Sequence, residues 1–283
     1  MFPFIYIGPL RLGTYGISAW FAFLAAYFVL KEDMRRRHLP GDAMNIILVL
    51  VIAGLAGSKL YHVLEDPSEL FAHPIDTLFS SYGFAWFGGF LAGVLALIIM
   101  ARYLRIPMLQ MLDASSPAAA LGYAIGRIGC LVSGDGDYGI PTSLPWGMVF
   151  PPLENGCRVK HFICVVHGSL VPSTGQLFNM PTDELQRVHP TPIYEFIVGV
   201  LIAIYLWKCG ARLIREHRPA GELLAEYLVL TGIARFLVEF IRINPRSFLG
   251  MSNAQVVSLL SILAGIGLMI FKRRPRHALP ARR

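Results

Sequence analysis

Arg127, Arg235 and Glu239 are ionisable groups set inside long apolar stretches, where charge is expensive and each such residue is a candidate functional group by default. Arg127 stands in GYAIGRIGCLVSGDGDYG. There Gly122, Gly126, Gly129, Gly134, Gly136 and Gly139 open the backbone to close approach, and Asp135 and Asp137 follow at the exit. Small-residue helix packing accounts for such glycines, but not for the arginine at their centre. A guanidinium in low dielectric suits a phosphate, because its planar fork binds two phosphate oxygens together. At membrane depth the natural carrier of that phosphate is an anionic phospholipid headgroup. Arg235 and Glu239 lie one helical turn apart, so they form either a structural ion pair or a second part of the same site.

Other residues carry a weaker signal. Lys59, Tyr61 and His62 lie late in one apolar stretch, where a buried ion pair or a snorkelling end competes with a functional role. Glu195 opens another stretch and is a functional candidate by the same rule, with anchoring of its helix beside Tyr194 as the plain alternative. Tyr15, in Leu12-Gly13-Thr14-Tyr15-Gly16, belongs either to an interfacial aromatic belt or to the site. The glycines of Trp86-Phe87-Gly88-Gly89-Phe90 read as a helix-packing surface.

The elements that position these groups follow from composition. The chain is 55% hydrophobic and 15% charged, with a mean hydropathy of +0.55, against roughly 25% charged residues in soluble domains. Apolar stretches recur at Gly13 to Leu30, Ala43 to Leu64, Phe84 to Tyr103, Ala114 to Val132, Pro192 to Trp207, Leu223 to Ile241 and Ala254 to Phe271. Most approach the roughly 20 residues needed to cross a bilayer. They lack the alternation of a membrane barrel, so helices must satisfy their backbone polar groups. The expected fold is an all-α polytopic membrane protein of about seven transmembrane helices, forming one membrane domain over residues 1–283.

The net charge of +7 is distributed by topology rather than gathered into a nucleic-acid patch. Lys31, Arg35, Arg36 and Arg37 follow the first span, whereas Glu65 to Tyr82 holds no Lys or Arg. Arg102 and Arg105 follow the third span, Lys208, Arg212, Arg215 and Arg218 the fifth, and KRRPRHALPARR ends the chain. Every second connection is therefore basic, which places the amino terminus outside and the carboxyl terminus in the cytoplasm. The first apolar segment lacks a basic leader and a small-residue cleavage site, so it is expected to remain as an anchor. The segment from Ser133 to His189 is too long for a simple connector. Its turn-rich content, DGDYG and SLPWG included, suggests an extracytoplasmic head of turns and short strands inserted between helices 4 and 5. Within it Cys157 and Cys164 are placed for a disulfide. With His161 and His167 they also form a C-x3-H-x2-C-x2-H array that could hold zinc. Cys130 and Cys209, inside spans, read as small apolar fillers.

In IGPLRLGTYGISAW, WFGGFLAG, GRIGCLVSGDG, HPTPIYE, ARFLVEFIR and GMSNAQVVSLLSIL, taken in order from first span to last, the chain resembles the bacterial prolipoprotein diacylglyceryl transferases. The resemblance implies that the diacylglyceryl group of phosphatidylglycerol moves to the lipobox cysteine of a prolipoprotein, forming a thioether and releasing glycerol phosphate. It implies phosphatidylglycerol, the signal peptide with its lipobox cysteine and membrane lipids as partners, no nucleic acid, no metal or organic cofactor, and a bacterial cytoplasmic (inner) membrane location. The family's essential arginines match Arg127 and Arg235, its essential acid Glu239 and its early tyrosine Tyr15. Asp135 joins these as a catalytic candidate, and Asp137 and His189 as substrate-binding candidates.

Where the family signature after the first arginine reads Asn, Asn and Glu, this chain has Cys130, Ser133 and Asp135. The family tyrosine four residues before the second arginine is matched by Thr231, and a histidine that some members carry before Gly-Gly is Phe87. A base for the cysteine thiol must then come from Asp135, Asp137 or His189, or the thiolate forms with help from the positive field. These departures leave room for a relative that moves a lipid-derived group to another acceptor. Buried Arg, Glu and Lys would equally suit a lipid-binding or transport protein without catalysis.

Overall fold

The computed structural model describes residues 4–8, 10–65, 85–134, 138–148, 163–166, 169–172, 187–244, 246 and 249–273. Among them seven helices occupy the seven apolar stretches: α1 Thr14–Arg36, α2 Ala43–Glu65, α3 Trp86–Tyr103, α4 Met108–Ser133, α5 Thr191–Arg215, α6 Glu222–Val238 and α7 Asn253–Arg273. Helices α1, α2, α5 and the Asn253–Phe271 part of α7 are long and apolar enough to span a membrane, and Phe87–Tyr103 is a shorter apolar helix. The protein is an all-α, multi-pass membrane protein with two small hairpins added. One pairs β1 (Phe4–Ile7) with β2 (Leu10–Gly13), and the other pairs β3 (Ile163–Val166) with β4 (Ser169–Pro172), both antiparallel.

Helix ends depart from the apolar stretches for local reasons. Helix α1 runs on through the charged KEDMRR segment because acids and bases there fall at helical spacing. Glu32 pairs with Arg35 at 2.6 Å, and Asp33 pairs with Arg36 at 2.9 Å and Arg37 at 2.7 Å. Pairs at i,i+3 and i,i+4 support a helix that hydropathy alone would have ended. Helix α6 stops short of the expected Ile241 because the chain turns there, and the Ile241 carbonyl accepts the Ile140 N–H at 2.8 Å instead of closing another helical turn.

The chain forms two compact units, Met1–Ala25 with Ser116–Arg283, and Ala26–Ser115. In the second of these, α2 and α3 meet through small residues. A Cβ at Gly57 would stand 2.6 Å from the Gly88 carbonyl oxygen and collide with the Ala92 side chain. A Cβ at Gly88 would in turn collide with the Gly57 carbonyl and with Tyr61. In lipid, apolar side chains gain nothing by leaving hydrocarbon, so such close backbone approach supplies the van der Waals contact that joins helices. The Gly-Gly of WFGGFLAG is therefore the packing surface it was expected to be. Lys59 is buried in this unit, as are Asp33 and Asp113, with Arg37 between the two acids at 2.7 and 3.8 Å.

In the larger unit α5 is the central helix. Ile202, Ala203, Leu206, Cys209 and Leu213 bury against Ala120 of α4 and Leu223 of α6, which makes Cys209 the small core filler expected of it. Helix α7 closes on α6 through Gly232 and Gly265, and Ser261 donates to the Leu228 carbonyl at 3.0 Å. Main-chain bonds then tie the far ends together. Gly139 N–H donates to the His189 carbonyl (2.8 Å), His189 N–H to Ile140 (3.1 Å), and Met148 and Val188 exchange both bonds at 3.0 and 2.9 Å.

If α2 and α3 depend on glycine, Gly57→Leu lowers stability by about 1–3 kcal/mol through overpacking. Gly93→Ala, where a Cβ meets nothing within 4 Å, leaves it unchanged. Thermal unfolding of both variants in detergent micelles checks the difference.

Candidate functional site

The larger unit brings Arg127 from the last turns of α4 together with Glu195 from the first turns of α5 and Arg235 from the last turn of α6. Glu195 is 7% exposed and is the meeting point. Its Oε2 lies 3.4 Å from Arg127 Nε and 3.2 Å from Arg242 Nη1, and its Oε1 lies 3.6 Å from Arg235 Nη1. The Tyr123 hydroxyl donates to the same Oε1 at 2.6 Å. Arg127 lies over the Tyr123 ring, 4.8 Å from its centroid, and reaches Cys130 Sγ at 3.9 Å.

A second carboxylate stands beside the first. Glu239, 2% exposed, is the C-cap of α6 and pairs with Arg235 Nη1 at 2.7 Å and Arg242 Nε at 3.8 Å. Its Oε1 accepts hydrogen bonds from Asn244 Nδ2 and from the Ser252 hydroxyl at 2.7 Å. Ser252 also caps α7. Its hydroxyl accepts the Gln255 N–H at 3.2 Å while Gln255 Oε1 accepts the Ser252 N–H at 3.0 Å, the reciprocal capping box of a Ser-x-x-Gln sequence. Three guanidinium groups thus face two carboxylates among the described residues. Such a cluster, where helix ends meet, can bind an anion through charge-assisted hydrogen bonds.

Of the residues singled out from sequence, Arg127, Arg235 and Glu239 come together here. Tyr15 stands at the start of α1, its ring 3.3 Å from where a Cβ on Gly129 would lie, two positions past Arg127. His189 joins the site's framework through its backbone, but its imidazole is engaged elsewhere. Nδ1 meets the Tyr194 hydroxyl at 3.2 Å, and that oxygen accepts the Trp146 indole N–H at 2.8 Å. Asp135, Asp137, Cys157, His161, His167 and the Cys164 side chain lie outside the described residues. Phe87 belongs to the smaller unit, where it is half exposed.

Glu195, Arg242 and Tyr123 were undervalued or missed by sequence reasoning. Glu195 is the hub rather than a simple anchor of α5. Arg242 extends the spacing of Arg235 and Glu239 by three residues, so R-x3-E-x2-R carries a signal along one helical face. Tyr123 precedes Arg127 by one turn, the spacing at which two side chains meet.

Comparison with known proteins gives this arrangement a family. The family model described as prolipoprotein diacylglyceryl transferase matches residues 3–271. A Leptospira interrogans protein named phosphatidylglycerol–prolipoprotein diacylglyceryl transferase is 31% identical over 274 residues, covering 86% of this chain and 77% of the relative. A Paraburkholderia phymatum protein of the same name is 32% identical over 299 residues, covering 98% and 95%. One from Clostridium tetani is 29% identical over 260 residues, covering 91% and 92%. With a match that runs almost from end to end, the chain belongs to the prolipoprotein diacylglyceryl transferase family.

Proposed function

We propose that this chain transfers the diacylglyceryl group of phosphatidylglycerol to the lipobox cysteine of a prolipoprotein. The observation that carries the reading is the convergence of three guanidinium groups, Arg127, Arg235 and Arg242, at one buried place, where their donors suit the oxygens of a phosphodiester. The cysteine thiolate attacks the glyceryl carbon that bears the phosphate ester. A C–S bond forms as that C–O bond breaks, and the electron pair leaves on oxygen as glycerol phosphate. Charge gathers on the phosphate as the bond breaks, and Arg127 and Arg235 neutralise it there. Glu239 holds Arg235 and Arg242 in place, while Tyr15 flanks the lipid at the start of α1. Asp135, Asp137 and His189, the last after its ring leaves the Tyr194 hydroxyl, are the candidates to take the thiol proton. Holding both substrates in one membrane plane converts a collision into a positioned encounter.

The same reading orients the protein. Basic connections after the first, third, fifth and seventh helices favour an external amino terminus and a cytoplasmic carboxyl terminus in the bacterial inner membrane. The arginine cluster then lies at the outer leaflet, under a head formed by residues 133–189 of a single membrane domain.

Purified wild type and Arg127→Ala, incubated with phosphatidylglycerol and a lipobox peptide, test the reading by peptide mass and released glycerol phosphate. Wild type is expected to add a diacylglyceryl mass, and the variant to lose about a hundredfold or more in rate. Lipid consumption without peptide modification means a different acceptor, as the altered residues Cys130, Ser133 and Asp135 would suggest. A folded wild type that binds phosphatidylglycerol but consumes none sinks the enzymatic reading.

Arg242→Gln removes one of the three cations while keeping a donor. Its kcat/KM for phosphatidylglycerol is expected to fall about tenfold to a hundredfold, read from initial rates of glycerol phosphate release.

A further inference from the structure

Glu195 makes its tightest contact with a neutral group. The Tyr123 hydroxyl donates to Oε1 at 2.6 Å, whereas Arg242, Arg127 and Arg235 stand at 3.2, 3.4 and 3.6 Å. An unobstructed guanidinium and carboxylate close to about 2.7–2.9 Å. Arg235 is drawn off by Glu239, which its Nη1 meets at 2.7 Å, whereas Arg127 stands back from Glu195. The same tyrosine explains how. Its hydroxyl satisfies Oε1 without using any positive charge, and its ring supports the Arg127 guanidinium from one face, 4.8 Å from the centroid. A contact through the face leaves the N–H groups in the guanidinium plane to reach other acceptors.

We propose that Tyr123 is a positioning residue for the lipid phosphodiester: it holds Glu195 by its hydroxyl and Arg127 by its ring, so that Arg127 engages the phosphate instead of collapsing onto the carboxylate. The inference rests on the transferase reading above and goes beyond it, because it assigns Tyr123 a role exerted through Glu195 and Arg127. Thr231 shows that the helical spacing alone is insufficient. It precedes Arg235 by one turn, as Tyr123 precedes Arg127, but its hydroxyl donates to the Tyr227 carbonyl of its own helix at 2.6 Å.

Steady-state kinetics of the full chain in micelles, with phosphatidylglycerol and a lipobox peptide varied in turn, test the assignment. Tyr123→Phe keeps the ring and loses the hydroxyl. It is expected to raise KM for phosphatidylglycerol about tenfold or more, with KM for the peptide unchanged and thermal unfolding in micelles close to wild type. Tyr123→Leu, which loses the ring as well, is expected to go further. Adding Thr231→Tyr to Tyr123→Phe puts a phenol one turn before Arg235, the spacing Tyr123 has to Arg127, and is expected to recover part of the loss. An unchanged phosphatidylglycerol KM in Tyr123→Phe overturns the inference, as does an equal rise in both KM values. A wild type that releases no glycerol phosphate is a separate result and removes the transferase reading instead.

Discussion

A carboxylate that cannot reach water must be answered by donors, and Glu195 is answered from three directions at once. Leaving it ionised and unpartnered in a low-dielectric interior would be prohibitive. Tyr123 and Arg127 reach it from α4, Arg235 from α6 and Arg242 from the turn beyond α6. Each of these helices belongs to the larger unit, and their ends meet where the acid is. Lipid offers helices little reason to choose one rotation over another, since every apolar face is content in hydrocarbon. The charged cluster supplies that choice. Turning α4 or α6 about its axis would strand either a cation or the acid, so the ion network selects one arrangement among several that packing alone would allow.

The second acid extends the constraint to the last helix. Glu239 accepts the Ser252 hydroxyl, and the same hydroxyl accepts the first-turn N–H of Gln255. One oxygen therefore both starts α7 and steadies the acid that steadies Arg235 and Arg242. Buried ion pairs are weak evidence for stability, because desolvation cancels much of their attraction. Their value here lies in geometry. Three arginines are kept near one another against mutual repulsion.

The existence of the helices was legible from the sequence because a bilayer imposes both length and composition. Their ends were less so. Asp33 extends α1 by pairing with Arg36 and Arg37, an effect that hydropathy cannot register. Within the site, Arg235 and Glu239 announced themselves through their spacing on one helix. Glu195 did not, since its partners Tyr123 and Arg242 lie 72 and 47 residues away in the chain. An acid near a helix start has an ordinary explanation in the helix dipole, and only the fold shows that three cations converge on it. Cys130 and Thr231 make the opposite point. Each departs from the family pattern in sequence, yet Cys130 still lies against Arg127 and Thr231 turns its hydroxyl back to its own helix.

The main-chain junction at Gly139, His189 and Ile241 also separates loop length from site geometry. Gly139 is so close to its neighbours that a Cβ there would stand 2.5 Å from the Ile241 carbonyl and 2.8 Å from the His189 side chain. Met148 and Val188 close the base of the intervening segment with paired bonds. A loop whose ends are already clamped can change length at small entropic cost, and its changes do not pull on Arg242 or Glu195 beneath the clamp. Changes of length between Met148 and Val188 are thus absorbed at these paired bonds before they reach the ion network.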